Sequence, residues 1–162
     1  MIFQLASILK PFCMTKSRAY AVLNRLLTII HRSLPIYLAD ANPWTHEGDE
    51  KAIKALQLIV EQQQDLAQRI ANFIIDHYGP ANPGEYPADF PDTHDLSLDY
   101  LVGKLVQCQK ADVKAIEACA TELQSNRQAH ALAEEALGSA RGHLETLEEL
   151  AAECSKHSGW AR

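Results

Sequence analysis

Residues 79–93 read Gly-Pro-Ala-Asn-Pro-Gly-Glu-Tyr-Pro-Ala-Asp-Phe-Pro-Asp-Thr, and these fifteen residues with four prolines decide the architecture. Proline fixes φ and lacks a backbone N–H, so such a stretch continues neither a helix nor the inside of a sheet. It favours extended polyproline geometry at about 3.1 Å per residue and can span about 45 Å. Before it, Ile53, Leu56, Ile59, Val60, Leu66, Ile70, Phe73 and Ile74 recur at helical spacing from an Asp49 N-cap to a Gly79-Pro80 stop. A helix of roughly thirty residues is also about 45 Å long. The proline-rich segment matches it in length and reads as a crossover. The plainer alternative is an insertion that doubles back on itself.

Helices flank this pair on both sides. The first is expected from about Ser17 to Ala41, on Ala21, Leu23, Leu26, Leu27, Ile30, Leu34, Tyr37 and Leu38. Pro35 should bend it, and Asn42-Pro43 should end it. The third is expected to start near Asp92 or Thr93 and to continue through Leu98, Leu101, Leu105, Cys108, Ile116, Cys119 and Leu123. Ser125-Asn126 breaks the pattern, and the fourth runs from about Arg127 to Cys154 on Ala129, Leu132, Ala136, Ala140, His143, Leu147 and Leu150. The expected fold is an all-α four-helix bundle with short, long and short connections. Simple up-and-down bundles need three short loops, and cytokine-type bundles need two long crossovers.

Composition narrows the function classes. The 162 residues suit one domain with a proper core, and 47% hydrophobic with 22% charged residues is ordinary for a globular chain. A net charge of −6 argues against non-specific nucleic-acid binding, which needs clustered Lys and Arg. No apolar run approaches a membrane span. Cys13, Cys108, Cys119 and Cys154 form no CxxC pair. Cys108 and Cys119 would lie about 16 Å apart along one helix, too far to bridge. Free thiols suit a reducing cytoplasm, the expected location. Residues 1–14 read as a disordered tail or an over-extended start, because Met14 is a plausible initiator and Met1 to Cys13 lacks the charge order of a signal peptide. The bundle is then residues 15–157.

Near the centre of each helix the apolar stripe gives way to polar or small residues. These are Thr28, His31 and Ser33, then Glu61 to Gln64, then Gln107 and Gln109, then Gly138 to His143. Antiparallel helices would stack them in one polar layer, where bundles place metal and cofactor sites.

The segments around this layer carry a resemblance. Leu23-Asn24-Arg25-Leu26-Leu27-Thr28, followed by Tyr37 and a Trp, resembles the opening helix of bacterioferritins and related ferritin-like proteins, with its LNxxLTxEL pattern. Val60 to Ile70 (VEQQQDLAQRI) is similar to the second-helix ExxHADxxxxRI, and Gly142 to Glu148 (GHLETLE) looks like the fourth-helix EEEHxxWLE. Asp65 to Ile70 also has some likeness to Dps-type proteins. The match covers the four-helix region; each motif is short, and their order and spacing carry it.

The resemblance implies a ferritin-like fold with one long crossover, and a di-iron centre whose ligands are mostly missing. The first-helix Glu falls on Ile30, the second-helix ExxH pair on Glu61 and Gln64, the third-helix Glu near Gln107, and the fourth-helix pair on Ala140 and His143. Only Glu61 and His143 remain. Two irons need several anionic oxygen ligands, so ferroxidase activity is not expected. A single Fe, Mn or Zn ion on Glu61, His143 and His31 is one reading. A metal-free Glu61–His143 pair hydrogen-bonded to Gln64 and Gln107 is the other, and is preferred. A His beside a carboxylate has its pKa raised.

Other polar groups have plain explanations. Asp49 caps a helix, while His46 and Glu47 follow loop polarity. His77 complements a helix C-terminus, and capping accounts for most of Asp89, Asp92, His94, Asp95 and Asp99. Glu134, Glu135, Glu145, Glu148, Glu149 and Glu153 form a solvated face.

Three functions follow. The first is a non-enzymatic bundle acting through homo-oligomer assembly or a protein partner, with no nucleic acid and no membrane, and Trp44, Tyr86 and Phe90 as loop aromatics available to an interface or a lid. The second is a metal-binding or oxidoreductase protein with a remodelled site. The third is a carrier for an apolar ligand beside Gly138, Ser139, Ala140 and Gly142.

Overall fold

The computed structural model describes residues 14–41, 49–93 and 96–157. Among them are five α-helices and one 3-10 turn, and no strand. These are α1 (Lys16–His31), α2 (Leu34–Ala41), α3 (Glu50–His77), α4 (Leu98–Leu123) and α5 (Arg127–His157), with the turn at Phe90–Thr93 between α3 and α4. No described helix is long and apolar enough to cross a membrane. The expected tail up to Cys13, the Asn42-Pro43 stop, and Trp44, His46, Glu47, His94 and Asp95 lie outside the described residues.

The expected first helix is two helices. The chain leaves the helical path at Arg32 and Ser33, and Pro35 becomes the second residue of α2. Proline is tolerated in a first turn because its missing N–H has no intrahelical partner there. Ser33 acts as the hinge: its carbonyl accepts from Tyr37 N at 3.2 Å and restarts the helix. The third helix also begins later than expected. Phe90–Thr93 closes on itself, with Thr93 Oγ1 donating to Phe90 O at 2.6 Å, and the long helix starts only after Ser97.

Two apolar clusters occupy the two ends of the molecule's interior. Leu23, Leu26 and Leu27 of α1, Ile70 and Ile74 of α3, Leu123 of α4 and Ala129 and Ala133 of α5 form the first. The second joins Leu34 and Leu38 of α2, Ile59 of α3, Leu98, Leu101 and Leu105 of α4, and Leu147 and Leu150 of α5, with Phe90. Complete burial of each such Leu or Ile contributes about 1.5–3 kcal/mol relative to exposure.

Residues 79–93 run along α1. Tyr20 Oη donates to Pro80 O (2.6 Å), Asn82 N to Asn24 Oδ1 (2.7 Å), and Arg32 Nε to Gly84 O (2.9 Å). Tyr37 of α2 then meets Tyr86 and Phe90, with ring centroids 5.2 and 5.4 Å apart. The partners Tyr20, Asn24, Arg32 and Tyr37 follow one another in sequence, so the segment ascends α1 towards α2. Gly84 adopts φ +67°, a backbone region that favours glycine, and a β-carbon there would run into the Thr28 side chain.

At the opposite end, Asn126 ties α3 to α5, and its own N–H donates to Leu123 O at the end of α4 (2.8 Å). Its Nδ2 donates to Tyr78 Oη (2.6 Å), and its Oδ1 accepts from Ala129 N (3.2 Å), an N-cap for α5.

Candidate functional site

Between the two apolar clusters lies a polar layer, built by one or two side chains from each long helix. From the α1–α2 hinge, Ser33 Oγ donates to Gln63 Oε1 of α3 at 2.8 Å, both residues buried. The helix break exposes Ser33 to this role: a serine in an uninterrupted helix commonly bonds back to its own preceding turn.

Gln109 of α4 is 2% exposed, and its Nε2 donates to Ala140 O of α5 at 3.0 Å. A carbonyl only accepts, so this bond fixes the orientation of the amide and turns Oε1 the other way. Oε1 is buried and has no hydrogen-bond partner among the described residues. One turn along α4 is Asp112, whose carboxyl is pushed up to about 7 by burial. No described residue makes a hydrogen bond or ion pair with it.

His143 of α5 is buried, and its Nε2 lies 2.8 Å from Gln62 Oε1 of α3. An amide oxygen only accepts, so Nε2 carries the proton in this bond. Ser139 Oγ lies 3.4 Å from the same nitrogen. Desolvation lowers the imidazole's pKa below its usual 6.5, opposite to the direction expected for a His beside a carboxylate. A cavity of about 10 Å³ lies between these groups, and its polar lining is Gln63, Gln109, Asp112, Ser139 and His143.

Glu61 sits elsewhere. It is exposed on α3 and lines an open hollow of about 370 Å³ between α3 and α5, beside Leu58, Asp65, Arg69 and Glu135. The hydrogen bond from His143 goes to its neighbour Gln62. Gln64 and Gln107, the expected partners of a Glu–His pair, are both exposed. Gln63 and Gln109 hold the interior positions instead. His31 lines a second hollow with Gln64 and Gln68, its Nδ1 buried and without a partner among the described residues.

The donor set does not fit the di-iron centre implied by the resemblance. Among the described residues no three His, Cys, Asp or Glu side chains form a group able to hold a metal ion. The interior supplies one carboxyl, one imidazole, amides and hydroxyls, which suits hydrogen bonding better than charge compensation of two irons.

Asp112 is the site residue that the sequence reading missed. The signal is present: Leu105, Gln109, Asp112, Ile116, Cys119 and Leu123 recur every three or four residues, placing a carboxylate on the buried stripe of α4. The aromatic residues of the long segment are placed as a lid over the second cluster, Phe90 being 5% exposed. Compared with protein-family models, curated proteins and solved structures, the chain matches none.

Proposed function

We propose that this chain is a ferritin-like four-helix bundle that acts through assembly or binding of a protein partner, without di-iron chemistry. The supporting arrangement is directional. The α1–α2 pair runs from the first apolar cluster to the second, α3 runs back, α4 again leads from the second to the first, and α5 returns. In this reading α3 and α4 are parallel, and the segment after α3 is the long crossover that carries the chain back to the second cluster before α4 begins.

The observation that carries the functional half is the bond from His143 to Gln62. The remaining fourth-helix histidine is engaged by an amide, while Glu61 faces solvent. Activity is then sought on the outside, where Leu58, Ile75 and Tyr100 are 55%, 57% and 66% exposed. The exposed Tyr100 in particular supports an interface reading, since Trp, Tyr and Arg anchors dominate binding energy.

The test combines light scattering across a concentration series with elemental analysis of untagged protein purified without chelator. The expected result is helical protein whose mass rises with concentration, or that recruits a partner, with metal well below one ion per chain. Near-stoichiometric Fe, Mn or Zn that vanishes in the Glu61→Ala/His143→Ala variant would replace this reading with the metal-binding one.

A further inference from the structure

The polar cavity holds two incomplete groups one turn apart on α4. Gln109 Oε1 is a buried acceptor without a donor among the described residues, and Asp112 is a half-buried carboxyl that no described residue pairs with. Residues three apart on a helix are neighbours, and both side chains line the same cavity. A carboxylate repels an amide oxygen, because both are acceptors. A neutral carboxyl is different: it carries one O–H donor. We propose that the cavity is a proton-binding site in which the neutral Asp112 carboxyl donates to Gln109 Oε1, directly or through one water, and so makes the Gln109 clamp between α4 and α5 responsive to pH.

Both ends of the Gln109 amide are then used. Nε2 holds the backbone of α5 at Ala140, and Oε1 receives the Asp112 proton. When Asp112 ionises, the proton leaves to solvent and Oε1 faces a negative acceptor inside a buried layer. An unpaired buried acceptor costs more than an ordinary hydrogen bond is worth, so the α4–α5 contact loosens at this level.

The surroundings favour the neutral acid. From α1 the cavity is faced by Ile29, and from α3 by Gln63 and Leu66, none of which ionises. From α5 the facing titratable group is His143, whose neutral form is favoured by burial. Cys108 lies one turn earlier on α4, its thiol pushed up by burial and by Asp112. The nearby charges on the α4–α5 surface are already paired, Lys110 with Glu148 at 2.7 Å and Arg141 with Glu117 at 3.2 Å. Gln63 and Ser139 are competing donors for Oε1. Neither reaches it: Gln63 takes the Ser33 proton on its oxygen, Ser139 Oγ lies beside His143 Nε2, and Gln109 Oε1 has no donor among the described residues.

Carboxyl-carbon NMR titration of the full chain tests the proposal. Asp112 should titrate near neutrality, and the Gln109 side-chain carbonyl should shift with the same midpoint. In Gln109→Met the acceptor is gone, and the proton affinity of Asp112 should drop roughly tenfold, the effect of one lost hydrogen bond to the neutral acid. Burial alone would leave that affinity unchanged. An unchanged midpoint in Gln109→Met overturns the proposal. So does a Gln109 carbonyl that stays flat through the Asp112 titration in the unsubstituted protein, a result that does not require any variant to fold.

Discussion

His143 Nε2 stands 2.8 Å from Gln62 Oε1, so the buried imidazole of α5 is anchored by a side chain on the solvent edge of α3. Removing the amide leaves a buried N–H without its acceptor. Gln62→Ala is expected to lower stability by about 1 kcal/mol, the net value of one such bond with part of its desolvation penalty. Urea denaturation at pH 7 measures it. A midpoint that does not move would show that Ser139 or solvent replaces the bond without cost.

Asp112 and His143 act oppositely on stability as pH changes. The Asp112 carboxyl binds its proton more tightly folded than unfolded, so its contribution is full below about pH 4 and is lost as pH rises to about 7. The His143 imidazole binds its proton less tightly folded, so stability is lost as pH falls below 6.5. The two slopes oppose one another below pH 6.5. Denaturation midpoints between pH 4 and 8 are expected to be flatter for the natural sequence than for either variant. Asp112→Asn should leave the His143 slope, with stability rising to pH 6.5 and then level. His143→Gln should leave the Asp112 slope, falling steadily towards pH 7.

Gly84 is the tightest point of the segment against α1. A β-carbon there would lie 2.9 Å from Thr28 Cγ2, on a backbone at φ +67°. Gly84→Ala is expected to destabilise by about 1–3 kcal/mol, combining strain at positive φ with the clash. Adding Thr28→Ala should recover part of the loss in a double-variant cycle. Full additivity would mean that backbone strain alone is responsible.

Asn126 serves both the α5 N-cap and the Tyr78 hydroxyl. Asn126→Ala should cost about 1–2 kcal/mol, more than a single exposed cap, because it also strips a partner from a half-buried phenol. Tyr78→Phe, read in the same thermal melts, separates the two contributions.

The long apolar periodicities made the helices legible, because 3.6-residue spacing over twenty or more residues admits little else. The interruptions were less so. Pro35 signals an irregularity, but whether a proline bends one helix or opens another depends on where Ser33 finds a partner, and that partner is Gln63 of another helix. The start of α4, at Ser97 rather than Asp92 or Thr93, is hidden for a similar reason. Asp92 and Thr93 have cap chemistry, yet Thr93 spends its hydroxyl on Phe90 O, and Phe90 is buried in the second cluster. In the polar layer the segments are readable and the inward residues are not: neighbouring glutamines differ in face by about 100°, so which of Gln63 and Gln64 points inward depends on how the whole helix is rotated against its neighbours.

The α3–α5 boundary is joined by Lys51–Glu153 (2.5 Å), Gln62–His143 (2.8 Å) and Arg69–Glu135 (2.7 Å), with the open hollow of Leu58 and Glu61 among them. Such a boundary is a zip of exchangeable polar teeth. Exposed ion pairs weaken as salt rises, whereas interlocked leucines do not. This flank is therefore where solvent first enters the bundle, and amide exchange along the facing stretches of α3 and α5 should quicken with ionic strength while the α1 interior stays protected.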